Sequence, residues 1–137
     1  MNKAEILAFL NANPICYLAT VEGDKPHVRA MGIVKADENG IIIETGTFKD
    51  VYKQLLADPN VELCFYNDKQ GIQISVSGAV EGVDDLKLKK EIVAQRPFLK
   101  QRVAEGGYEA MGVFRLKGAA YVWSFQTASE PKTYIQL

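Results

Sequence analysis

The sequence predicts a mainly β fold: a small closed or half-closed β-barrel with peripheral helices, built from six or seven mostly antiparallel strands. Three observations carry that expectation. Short apolar runs of strand length recur along the chain, and one of them alternates strictly. Turn formers separate them at hairpin spacing. The 137 residues, 47% hydrophobic and 24% charged, match one soluble globular domain spanning 1–137.

The elements follow in chain order. Ile6, Leu7 and Leu10 at helical spacing predict a helix over residues 3–12, stopped by Asn13-Pro14. Residues 15–21 and 27–35 read as strands flanking the turn formers Glu22-Gly23-Asp24-Lys25-Pro26. Asp37-Glu38-Asn39-Gly40 is a second turn, and residues 41–45 give a third hairpin-linked strand. Phe48, Val51, Tyr52 and Leu55 at i, i+3, i+4 and i+7 predict a helix with one apolar stripe. Thr47 fits its N-cap, with Asp50 three residues on, and Asp58-Pro59-Asn60 ends it. Residues 61–67 form a strand, and 72–81 alternate, with Ile72, Ile74, Val76 and Val80 on one side. Residues 84–104 read as helix interrupted at Arg96-Pro97, because proline disfavours helix at the residue before it. A hairpin about Gly118 joins 112–117 to 119–125, and 134–137 suit a short edge strand.

Composition excludes whole classes. With 16 Lys+Arg against 17 Asp+Glu the formal charge is −1, which argues against nucleic-acid binding through a basic face. No apolar run approaches the ~18–20 residues that cross a bilayer, so no membrane partner is expected. The first residues lack a signal-peptide pattern. Cys16 and Cys64, in apolar strand-like settings, read as buried reduced thiols, and a cytoplasmic location follows as the expectation.

Familiar catalytic constellations do not occur. His27 is the only histidine and the cysteines lie far apart, so no metal site is expected. There is no G-x-S-x-G, P-loop or G-x-G-x-x-G. No side chain stands out as an obligatory acid or base, and no catalytic residue is assigned. His27, beside Pro26, reads as a turn or surface residue. Arg29, inside an otherwise apolar strand, either faces solvent or meets an anion. Thr45-Gly46-Thr47 stands at a strand-to-helix junction, with Lys49 and Lys53 at i, i+4 on the helix that opens there. A helix N-terminus offers free N–H groups and a positive dipole end. Arg29, Thr45, Thr47, Lys49 and Lys53 suit convergence on one phosphate monoester; the alternative is a solvated lysine face with an ordinary threonine cap.

From Ala19 to Gly82 the chain resembles the pyridoxamine 5'-phosphate oxidase-like family of FMN-binding split barrels, above all its short bacterial members grouped with nitroimidazole-resistance proteins. The matching pieces, in order, are Tyr17-Leu18-Ala19-Thr20-Val21, Gly23-Asp24-Lys25-Pro26-His27-Val28-Arg29, Ile43-Glu44-Thr45, Lys49-Asp50-Val51-Tyr52-Lys53-Gln54-Leu55, Asp58-Pro59-Asn60-Val61-Glu62-Leu63 and Ile74-Ser75-Val76-Ser77-Gly78. The resemblance implies FMN held at a homodimer interface. It assigns Arg29, Thr45, Lys49 and Lys53 to the flavin phosphate, with Gly46 and Thr47 in the same turn. Backbone at Ala30, Met31 and Gly32 would run beside the isoalloxazine, Gln73 would reach the flavin, and Trp123 would cover it from the partner subunit. An ordinary core tryptophan is the alternative for Trp123.

Two departures narrow the expectation. The oxidase has lysine five residues after the arginine, where this chain has Val34; Lys35, one position later, should point to the other face. No arginine follows Arg115, whereas the oxidase carries basic residues in a longer C-terminal segment. Pyridoxamine phosphate oxidation is therefore not expected. The implied function is an FMN-dependent oxidoreductase that reduces a small electrophile, such as a quinone or nitro compound, with NAD(P)H. The alternatives are a flavin protein without turnover, for storage or redox sensing, or a haem or deazaflavin binder with His27 as the sole histidine available.

Overall fold

Helix α1 (Lys3–Ala12) starts at a capping box: Asn2 accepts the Glu5 amide and Glu5 accepts the Asn2 amide, at 2.8 and 3.0 Å. It buries Ile6, Phe9 and Leu10. In this computed structural model, which describes residues 1–137, β1 (Ile15–Glu22) and β2 (Lys25–Gly32) then form a hairpin in full register. Beyond Gly32 the chain changes partners. The Ile33 amide donates to the Pro14 carbonyl and the Val34 amide to that of Ile42, at 2.9 and 2.8 Å. The expected strand over 27–35 is thus two strands, β2 and β3 (Lys35–Asp37), and the total is nine, not six or seven.

The remaining elements are β4 (Gly40–Gly46), α2 (Asp50–Ala57), β5 (Asn60–Asn67), β6 (Ile72–Gly82), α3 (Leu86–Gln95), a 3-10 turn (Pro97–Leu99), α4 (Lys100–Gly106), a second 3-10 turn (Tyr108–Ala110), β7 (Met111–Leu116), β8 (Ala119–Ser124) and β9 (Tyr134–Gln136). All strand pairs are antiparallel, and the main path runs β2-β1-β5-β6-β7-β4-β3. β6 is long enough to serve two sheets: residues 72–77 pair with β8, and 80–82 with β7. The path closes everywhere except between its ends, β2 and β3, and this open seam makes the barrel split.

β4 is buried along its whole length because both faces are covered. Ile41 and Ile43 join the barrel core with Leu18, Leu63, Phe65, Ile74 and Val76. Ile42 joins a second cluster with Leu88, Ile92, Leu99 and Val113, under α3. Strand alternation then aims Thr45 toward the barrel and Glu44 toward the α3–α4 segment.

Helix α2 corrects the expected start and stripe. Its N-cap is Lys49, with no side-chain cap, so Thr47 does not cap it. The Lys49 amide donates to the Gly46 carbonyl at 3.1 Å, spending Thr47 and Phe48 in a turn before the helix begins. Phe48 is consequently 68% exposed, and Val51, Gln54 and Leu55 form the inward face.

Candidate anion-binding site

A cavity of about 270 Å³ opens in the seam, lined by β2 (Arg29 to Gly32), β4 (Glu44, Thr45), the start of α2 (Lys49, Val51) and the α3–α4 segment (Arg96, Phe98, Arg102). Four cations and one carboxylate meet there, in a chain whose formal charge is −1. Near-neutrality overall therefore hides a strong local excess of positive charge.

Arg29 is aimed by buried partners. Its guanidinium donates to the Leu18 carbonyl (3.3 Å), to Thr20 Oγ1 (2.7 Å) and to Gln54 Oε1. Thr20, 1% exposed, donates its own proton to Gln54 Oε1 at 2.6 Å. Gln54 accepts both bonds from the inward face of α2, so strand and helix fix the arginine head between them. Burial lowers the Arg29 pKa, and Asp50 opposes that shift. The guanidinium stays charged, because arginine ordinarily titrates far above neutral pH.

Thr45 supplies the sharpest signal. It is 3% exposed, and Oγ1 has no hydrogen-bond partner. A buried hydroxyl left unpaired costs about 1–3 kcal/mol. Such a group beside Arg29 and Lys49 fits an external acceptor that completes it, and an oxyanion is the acceptor this cation set selects.

Glu44 faces the other way. Its carboxylate accepts from Arg102 at 3.0 Å, and Arg102 lies over the Phe48 ring, 5.6 Å from the centroid. A Cβ on Gly46 would stand 2.5 Å from the Phe48 ring, so glycine leaves the space in which that ring folds back. Burial raises the Glu44 pKa, while Arg102, Arg96 and Lys49 pull it down by less. Arg96 donates to the Gly32 and Ile33 carbonyls at 3.2 and 2.9 Å, tying the end of α3 to the end of β2.

The structure brings Arg29, Ala30, Met31, Gly32, Thr45 and Lys49 to this cavity. Gly46 and Thr47 form the turn behind it. Lys53 is exposed on α2 and does not line it. Gln73 and Trp123 face each other across β6 and β8 and line a second cleft, of about 330 Å³, with Glu62, Ser75, Ser77 and Tyr121. Trp123 is half-buried there, edge-on to Phe125 at 4.8 Å, and it is no core residue. His27 pairs with Glu22 at 3.2 Å on the β1–β2 hairpin, away from either cleft. Thr20, Gln54, Glu44, Arg96, Phe98 and Arg102 escaped the sequence reading. Only Gln54 carried a signal, as a polar residue at i+3 from Val51 on the helix face that packs inward.

A split barrel with a cationic cavity in its seam defines the class. The chain belongs to the family described as pyridoxamine 5'-phosphate oxidase, whose profile matches residues 3–119. A search of curated proteins found no match. Among solved structures, a NimC/NimA family protein from Clostridium acetobutylicum is 30% identical with a TM-score of 0.79, over 98% of this chain and 92% of its own. Two more distant structures share the fold. PhzG from Burkholderia lata, solved with tetrahydrophenazine-1-carboxylic acid, is 15% identical with a TM-score of 0.71, over 98% of this chain and 89% of its own. HutZ, a heme storage protein from Vibrio cholerae, is 18% identical with a TM-score of 0.64, over 98% of both chains. No helix is long and apolar enough to cross a membrane.

Proposed function

We propose that this protein is an FMN-dependent oxidoreductase, acting as a homodimer that reduces a small electrophile with NAD(P)H. The observation that carries the reading is the unpartnered, buried Thr45 hydroxyl beside Arg29 and Lys49. These residues suit a phosphate monoester: a point cation, a guanidinium already aimed, and a hydroxyl with its proton free. When bound, the flavin supplies the hydride and electron chemistry. The chain's own contribution is to grip the phosphate and to offer the free edge of β2 at Ala30, Met31 and Gly32.

The cavity's size supports a shared site. About 270 Å³ falls below the ~300–1,000 Å³ of pockets that enclose a whole drug-sized ligand. A flavin held here by its phosphate would extend past β2 and need further cover. The outer face of the β2-β1-β5-β6-β8 sheet exposes Val28, Ile15, Tyr17 and Tyr66, at 68%, 62%, 54% and 48%. A contiguous apolar face of this kind suits a protein partner. A second copy docked there would present its Gln73 and Trp123 to the first copy's seam.

The test is direct. Purified protein should show flavin absorption, as isolated or after FMN is added, and should oxidise NAD(P)H with a quinone or nitro acceptor. A colourless protein that takes up no FMN defeats the reading. Bound FMN that NAD(P)H does not reduce would leave the flavin assignment standing and favour storage or sensing. For a haem occupant, as in HutZ, His27 lies outside the cavity; a Soret band surviving His27→Ala would remove it as ligand.

A further inference from the structure

Glu44 is the one carboxylate lining the cavity, and no contact to a phosphate explains it. It is 8% exposed. Arg102 of α4 holds it at 3.0 Å, Arg96 at the end of α3 and Lys49 at the start of α2 add their fields, and Arg29 of β2 lines the same space. From β7, Val113 stands opposite it in the ladder. All the ionisable groups facing Glu44 are therefore cations, and the same cations would serve an incoming dianion.

We propose that Glu44 is a built-in competitor for the ligand's phosphate: a carboxylate that shares Lys49 and Arg102 in the free protein and takes up a proton when the phosphate binds. The inference rests on the FMN reading above and adds the regulation of that site. In the free protein the carboxylate offsets the cation cluster, keeping four positive side chains close together. When a phosphate arrives, a second anion enters the same low-dielectric space, and the two repel. Protonating Glu44 removes the repulsion and returns the cations to the ligand. Burial already raises the Glu44 pKa, in the direction that favours such uptake. Affinity for a phosphorylated ligand should then rise as pH falls through the titration of Glu44. A ligand without phosphate should feel little of this.

The experiment compares FMN and riboflavin binding to the full-length protein and its Glu44→Gln variant between pH 5 and 8. Glutamine mimics the protonated side chain, so the variant should bind FMN about tenfold more tightly than wild type at pH 8, with the gap narrowing as pH falls to 5. Comparing the two proteins cancels the phosphate's own titration near pH 6. Riboflavin affinity should differ by less than about twofold throughout, since it carries no charge to repel. A variant equal to or weaker than wild type at pH 8, or a gap that does not narrow between pH 8 and pH 5, overturns the inference.

A second measurement needs no variant. Calorimetry of wild type at pH 7, in two buffers of different ionisation enthalpy, should show net proton uptake on FMN binding and none with riboflavin. Proton release, or no exchange with FMN, overturns it. The two failures are separable: if neither protein binds FMN at any pH, the flavin reading itself is wrong. FMN binding without a Glu44-dependent pH effect sinks the competitor alone.

Discussion

Thr45→Val makes the strongest single prediction, because it should move stability and binding in opposite directions. Valine replaces a buried hydroxyl that has no partner by a methyl of similar size. In the free protein this removes an unpaired polar atom, whose cost is about 1–3 kcal/mol. Taking about 1 kcal/mol, since Thr45 is 3% exposed yet sits at a cavity wall, the melting temperature should rise by about 3–4 °C for a domain of this size. On the proposed FMN reading the same change would delete a charge-assisted hydrogen bond to phosphate worth about 1.5–3 kcal/mol and weaken FMN by roughly ten- to a hundredfold. Riboflavin affinity should not change. Calorimetric melting without ligand, with fluorescence titration of both flavins, measures all three quantities. A variant that melts lower than wild type, or binds FMN as well, would refute the assignment of Thr45 to the anion.

Three further predictions follow from the same geometry. Arg29→Ala should weaken FMN at least tenfold more than riboflavin and also lower stability, because Thr20 and Gln54 lose their buried donor; Lys49→Ala should share only the binding loss, and Lys53→Ala should leave binding within about twofold. Glu44 has a raised folded pKa, so its contribution to stability is fully present below its unfolded value near 4.5 and is lost as pH rises through the folded value. Unfolding of wild type and Glu44→Gln at pH 4 and 8 should therefore show the variant relatively more stable at the higher pH. Burial pushes the Cys16 thiol up to about 12, with Cys64 adding to the shift, and Cys64 itself is raised. At pH 8 iodoacetamide should label neither cysteine at an appreciable rate in the native protein and both after unfolding, read by intact mass.

What could be read from the sequence was what depends on local chemistry. Asn13-Pro14, Asp58-Pro59 and the glycine-bearing turns punctuate the chain, and the elements between them lie close to where they were expected. The junction Thr45-Gly46-Thr47 announces itself as a turn, and Arg29 is conspicuous among apolar neighbours. Failures arose where tertiary contacts decide. Ile33 and Val34 look like more strand, yet their amides bond to Pro14 and Ile42 and split it. Phe48 has the right spacing for the α2 stripe, but the Gly46–Lys49 turn throws it outward over Gly46. Arg96 and Arg102 lie more than fifty residues from Glu44, in a segment that reads only as helix broken by proline. No local pattern brings them to the seam; the packing of Leu88, Ile92 and Leu99 against Ile42 does.

The topology also explains why the cation cluster and Gln73–Trp123 form two clefts in one chain. β2 ends the sheet path, so its free edge opens on the seam beside β4, while β6 and β8 lie on the other side of β1 and β5. Successive side chains of a strand point to opposite faces. Arg29, across the ladder from buried Leu18, turns toward the core side, and Gln73, across from exposed Tyr66, turns outward. No rotamer change in one chain can bring those two residues to one ligand, because a sheet several strands wide separates them at ~4.8 Å per strand. A two-fold partner seated on the exposed face of Ile15, Tyr17 and Val28 resolves the difficulty without distorting either half. Such a partner would place one copy's outer sheet over the other's seam, twice by symmetry. The homodimer proposed above would account for the exposed apolar face and for the separation of the two clefts with a single arrangement.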